Sequence, residues 1–175
     1  WFWWRRRVGR MVMNRMMQNL FSGWFQLSRW FPSERMKAIR DAIAEGERGH
    51  AGELCFAVEA RYSQFALMAG IHTRGRAEQV FSALRVWDTA ENSGVLVYLQ
   101  LAERRVEIIA DRGIAAKVPQ AGWDVLCTDF AEAMRHGEPD RAVMDCLGRI
   151  NALLALHFPA AADNPKELPD EPVIL

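Results

Sequence analysis

Asp88, Glu91 and Asn92 stand together in VWDTAENSG, immediately ahead of the apolar run from Gly94 to Leu101. Asp111 follows the next apolar run in IIADRG, and Glu59 lies near the end of an earlier one, ELCFAVEARY. These side chains offer oxygen donors, four carboxylates and the carbonyl of an amide. A hard cation such as calcium takes roughly six to eight oxygens, so strand ends that gathered these residues at one sheet edge would suit a divalent ion. A second reading stays open on spacing alone. Turns attract Asp and Asn for their local hydrogen bonds, and the same residues serve as caps and surface charges.

Other chemistry finds less support. Cys55 and Arg61 are separated by five residues, the spacing of a cysteine-phosphatase loop. That loop needs backbone amides converging on a phosphate and a thiolate held by positive charge. Here Phe, Ala, Val, Glu and Ala alternate like a strand and place a carboxylate where the phosphate would sit. Motifs for a nucleophile elbow, a zincin helix, a phosphate loop or a dinucleotide fingerprint are absent from the sequence. His50, His72, His136 and His157 lie in separate segments without ligand spacing, as expected of surface loops and helix ends. Arg112, beside Asp111, could meet an anion, although the same position suits a solvated surface arginine.

The positioning elements follow from periodicity. Met36, Ile39 and Ile43 recur at helical spacing after Ser33, with Gly46 and Gly49 at the end. Glu53 to Tyr62 reads as a strand apolar enough to lie inside a sheet. A helix opening at Thr73 turns Ala77, Val80, Phe81 and Leu84 inward. Gly94 to Leu101 and Val106 to Ala110 form a hairpin over Ala102, Glu103 and Arg104, with Trp87 expected to cover the core beneath the preceding loop. Two helices follow, one carrying Trp123, Leu126, Cys127, Phe130 and Met134, the other Val143, Leu147, Ile150 and Leu154. This order describes an α/β protein with one sheet and helices on both faces.

Charge divides the 175 residues unevenly. Residues 1–32 hold six arginines and no acid; the remainder has 16 basic against 22 acidic residues, a net of −6. Nucleic acid is therefore not an expected partner of the folded part. Within the first segment Met13, Met17, Leu20, Trp24 and Leu27 share one helical stripe, which suits peripheral contact with a membrane interface. The divisions expected are a basic aromatic amphipathic segment over 1–32, an α/β domain over 33–158 and an extended proline-rich tail over 159–175. Cys55, Cys127 and Cys146 sit singly in apolar patterns, as reduced core residues do. With no run of the length and hydropathy a membrane span requires, the expected location is the cytoplasm.

VWDTAENSGVLVYL, the hairpin ERRVEIIADRGI and the tryptophan of QAGW together resemble the TPM domain. That family includes thylakoid-lumen proteins linked to acid phosphatase activity and photosystem II repair. The closing ELPDEPVIL resembles the tail of a bacterial branch, so the likeness runs from about Phe31 to Leu175. It implies a three-layer α/β/α sandwich with a small mixed sheet containing a β-hairpin. In some members it also implies a divalent cation, often calcium, in an acidic depression at the sheet edge. The positions that match are Asp88, Asn92 and Asp111; Glu59 joins them on the expected strand order alone. Two functions remain in view: a non-catalytic domain that binds a cation, a protein partner or both, near a membrane surface; and a metal-assisted acid phosphatase acting on phosphomonoesters.

Overall fold

Seven consecutive residues, Glu53–Glu59, are buried on both faces, and the rest of the molecule is arranged around them. A computed structural model describes residues 17, 19, 23–160 and 166–175. In chain order the elements are α1 (Gly23–Trp30), α2 (Ser33–Glu47), β1 (Glu53–Glu59), α3 (Gln64–Met68), α4 (Thr73–Ala83), β2 (Gly94–Gln100), β3 (Arg105–Ala110), α5 (Arg112–Ala115), α6 (Gln120–Arg135), α7 (Pro139–His157) and β4 (Val173–Ile174).

The sheet order is β3-β2-β1-β4. Strand β1 runs parallel to β2, with Glu53 opposite Gly94 and Glu59 opposite Gln100. The β2–β3 pair is antiparallel, and β4 lies parallel to β1 through Ala57 and Val58. The sheet is therefore mixed and contains the expected hairpin. Successive strand residues face opposite sides, which sorts β1 into two cores. Leu54, Phe56 and Val58 face α2, α6 and α7, where Ile39, Ile43, Leu126, Phe130, Leu147 and Ile150 complete the larger cluster. Cys55 and Ala57 face α4, where Ala77 and Val80, with Val86 from the loop that follows, complete the smaller one. Each large aliphatic or aromatic side chain so buried contributes about 1.5–3 kcal/mol, and the three-layer α/β/α sandwich is the result.

Three local expectations are revised. Trp87 does not cover the core: it is 47% exposed, and Val86 is the fully buried plug. Arg85, two residues past the end of α4, adopts the left-handed region (φ 57°), and in the turn it makes Val86 faces in and Trp87 faces out. Gly94 is needed there, since a Cβ on it would stand 1.9 Å from the Val86 carbonyl oxygen. The link between β1 and α4 is not plain connection but contains α3, capped by Ser63 Oγ, which accepts from Ala66 N at 3.2 Å. Finally, the end of the tail is not merely extended, because Val173–Ile174 adds a fourth strand, with Leu175 N donating to Val58 O at 2.9 Å.

In the N-terminal segment, Leu27 and Phe31 are buried in the larger core, with Phe31 6.0 Å from the Phe56 ring. That part of the stripe is spent on the domain itself. Met13, Leu20, the Trp24 side chain and Arg5, Arg6, Arg7, Arg10 and Arg15 lie outside the described residues. Among the described residues no helix is long and apolar enough to cross a membrane.

A buried acidic cluster fastens the tail. Glu53 accepts from Glu167 N and Leu168 N at 3.0 and 3.2 Å, Lys166 pairs with Asp170, and Leu54 N donates to Glu47 at 3.1 Å. Burial pushes the Glu47 carboxyl up to about 8, helped by its hydrogen bond with Asp170 and by the nearby charge of Glu53. A carboxyl raised in the folded state favours folding while protonated, so its contribution is complete below the ordinary carboxylate range and is lost as pH rises toward about 8. Thermal melts across pH 5 to 8.5 are expected to show the parent losing stability over that window, and Glu47→Gln, which keeps the neutral form, losing distinctly less. Parallel pH profiles would show that Glu47 is not the titrating group.

Candidate functional site

The sheet has two ends, and strand direction decides which residues share one. Strands β1 and β2 are parallel, so the loop entering β2 lies beside the start of β1. Strand β3 returns antiparallel, with Ala110 opposite Val95, so Asp111 arrives at that same end. The structure thus brings Asp88, Asn92 and Asp111 to one edge. Glu59 is the exception, since it ends β1 at the opposite edge, six strand steps or roughly 20 Å away. Its inclusion assumed that all strand exits gather, which holds only for strands running in one direction.

Glu59 has a structural occupation instead. It is 6% exposed, and its carboxylate accepts two bonds from Arg76, at 2.8 and 3.2 Å, and one from the Tyr98 hydroxyl. A buried carboxylate survives when its charge is paired and its oxygens are bonded. Burial, together with this carboxylate, raises Tyr98 far above the ordinary tyrosine range, so Tyr98 stays protonated and donates.

At the other edge a tight turn sets the geometry. Asn92 adopts φ 53°, a conformation asparagine tolerates better than most residues. Thr89 Oγ1 accepts from Ser93 N at 3.0 Å, and Asp111 N donates to Gly94 O at 2.9 Å, tying the β2 entry to the β3 exit. Gly113 N donates to Asn92 O at 2.9 Å. The approach is so close that a Cβ on Gly113 would lie 2.3 Å from Glu91 O and 2.6 Å from Asn92 O. Asp111 Oδ1 accepts from Arg112 N at 2.7 Å, while its Oδ2 is buried with no hydrogen-bond partner. Arg112 Nε donates to Asn92 Oδ1 at 2.8 Å, and Asp88 pairs with Arg85 on the surface. The Glu91 side chain is exposed.

Among the described residues no group of three or more His, Cys, Asp or Glu side chains is placed to hold a metal ion. Any cation at this edge would draw on two carboxylates at most, with the Asn92 amide, turn carbonyls and water supplying the remaining oxygens. Cys55, Cys127 and Cys146 are thiols that burial raises to about 12, about 11 and about 12, which removes the nucleophilic thiolate. His50 is not at the surface: it is fully buried between Gly52 O at 2.9 Å and Asn151 Oδ1 at 3.1 Å, and burial lowers its pKa. A cleft of about 490 Å³ lies between α6 and α7, but none of Asp88, Asn92 and Asp111 lines it. Its charges are largely paired with one another, Asp129 with Arg149 at 2.6 Å and Arg141 with Asp145 at 3.5 Å. Sequence reasoning misses the acid cluster of half-buried Glu47 with buried Glu53 and Asp170; the one hint is Glu53 opening an otherwise apolar strand.

Comparison with known proteins agrees with this architecture. The solution structure of the BA42 protein from the psychrophilic bacterium Bizionia argentinensis is similar at 28% identity and a TM-score of 0.71, covering 81% of this chain and 93% of that one. The N-terminal domain of a P. gingivalis protein, 14% identical with a TM-score of 0.57, covers 77% of this chain and 82% of its own, and shares the fold. No curated protein matches. Residues 29–153 match the TPM domain. The chain belongs to the TPM domain family.

Proposed function

We propose that this TPM domain is a non-catalytic module that binds a divalent cation, calcium foremost, at the edge formed by Asp88, Asn92 and Asp111. The observation that carries the reading is Asp111 Oδ2, a buried carboxylate oxygen without a hydrogen-bond donor. Leaving such an atom unsatisfied costs about 1–3 kcal/mol or more, and a cation would satisfy it. Asp88 is free to exchange its partner at little cost, because its pair with Arg85 is exposed and such pairs are worth at most about 1 kcal/mol. Asn92 Oδ1 has a second lone pair beyond the one Arg112 uses. Asp88 and Asp111 would supply the charge and Asn92 a neutral oxygen, a hard donor set suited to calcium. Glu59 takes no part.

With two carboxylates the affinity belongs to the weak range, about 10⁻³ M. Calcium at tenfold above that value is expected to stabilise the protein by about 1.4 kcal/mol, or roughly 3–6 °C in Tm. The Asp88→Asn, Asp111→Asn double variant is expected to lose that shift. Glu59→Gln is expected to keep it while lowering basal stability by roughly 2–3 kcal/mol through the uncompensated Arg76. A double variant that responds to calcium as the parent does would remove the site.

The second reading, a metal-assisted phosphatase, is favoured by Arg112 standing beside Asp111. A bound cation would polarise a phosphoryl oxygen, with Asp88 or Asp111 as ligand and Arg112 steadying the phosphate. The Arg112 Nε is already committed to Asn92, which weighs toward the binding module. Purified protein is expected to release no phosphate from p-nitrophenyl phosphate with calcium, magnesium or manganese at acid or neutral pH. Metal-dependent release abolished by Arg112→Gln would establish the enzyme instead.

A further inference from the structure

The opposite edge of the sheet carries an apolar projection that neither core uses. Phe65 and Met68 on α3 are 86% and 74% exposed. Three positions apart, they share one face of the turn. Leu67 is buried between them in sequence and anchors the projection, while Ser63 caps its start. Ala69 N bonds to Phe65 O, Gly70 N to Leu67 O and Ile71 N to Ala66 O, and Gly70 closes the turn at φ 74°. The backbone is thus fixed with its apolar side chains held out, so little ordering cost remains to be met on binding.

Charge at this edge is slightly positive within a folded part whose net charge is −6. Arg61, Arg74, Arg76, Arg104 and Arg105 stand here with Glu59, Glu78, Glu103 and Glu107. Arg76 is occupied by Glu59, and Arg74 by Glu78 and Ile108 O. Arg61 is exposed, as are Arg104 in the β2–β3 turn and Arg105 at the start of β3, which lie at this edge because Arg105 pairs with Gln100. Tyr62 N donates to Asn19 Oδ1 at 2.8 Å, which fixes at the same edge the point where the arginine-rich segment joins the domain. Five arginines precede Asn19 in the sequence.

We infer that the α3 edge docks on an anionic lipid surface, with Phe65 and Met68 entering the headgroup boundary and Arg61, Arg104 and Arg105 facing lipid phosphates. An exposed apolar tip with exposed arginines at the same end of the sheet fits a deformable anionic interface, where apolar insertion and attraction to charged lipid act together. This inference uses different residues from the cation site and does not depend on it.

The test is flotation of the full chain with phosphatidylcholine vesicles containing roughly a third phosphatidylglycerol, in EDTA so that calcium plays no part. The parent is expected to float with these vesicles and not with pure phosphatidylcholine. Phe65→Ser with Met68→Ser is expected to reduce partitioning about tenfold or more, since two inserted side chains are lost. Arg104→Glu with Arg105→Glu is expected to reduce it as well, more at low than at high salt. All the substituted side chains are exposed, so unchanged melting is expected and confirms folding. Three results would overturn the inference: a parent that stays in solution, a Phe65/Met68 variant that floats like the parent because the arginine-rich segment suffices, or a parent dimer that this variant converts to monomer, which would make a second copy the occupant.

Discussion

A strand buried on both faces leaves no room for an unpaired polar group, and β1 meets that constraint with a carboxylate at each end. Glu53 and Glu59 are its terminal residues, and both are buried. Glu53 is bonded by the backbone of Glu167 and Leu168, which draws the tail across the sheet and delivers β4 to the free edge of β1. Glu59 is bonded by Arg76 and Tyr98, which locks α4 and β2 to the other end. Removing one partner of such a buried set leaves a charge uncompensated, which costs several times more than losing a surface pair. The two acids therefore do more than tolerate burial. They determine which elements lie against β1.

The same geometry separates the molecule's two candidate surfaces. Parallel pairing of β1 with β2, followed by the antiparallel return of β3, collects Asp88, Asn92 and Asp111 at the end where β1 begins. The arginines and the apolar tip of α3 collect where β1 leaves the sheet. A site for a cation and a surface for anionic lipid would repel each other's ligands if they overlapped. Roughly 20 Å of strand keeps them apart.

The order of the main elements was legible in the sequence because burial periodicity is local: Ile39 and Ile43, Val95 to Leu101, and Trp123 to Met134 each declare their faces within a few residues. What depends on direction or distance was not. Glu59 and Asp111 look alike in the sequence because both stand at a strand's end, and only the pairing directions show that they leave the sheet at opposite ends. An aromatic before a strand reads as a cover for the core, which would turn Trp87 inward, whereas Val86 is the buried residue after the left-handed Arg85. The tail's strand is two residues long, too short for any period, and its register is set by Glu53, more than a hundred residues earlier. Asp88, Asn92 and Asp111 were legible as a group through the family resemblance, while the orphaned oxygen of Asp111 could be seen only once its neighbours were in place.

The central claim is that the two ends of β1 serve different purposes and that the cation belongs at the entry of β2. Amide chemical-shift mapping of the full chain during calcium titration tests it most directly. Saturable shifts are expected at Asn92, Ser93, Gly94, Asp111, Arg112 and Gly113, with Glu59, Ala60 and Tyr62 unmoved. Shifts centred on Glu59 and Arg76, or none at millimolar calcium, would contradict it.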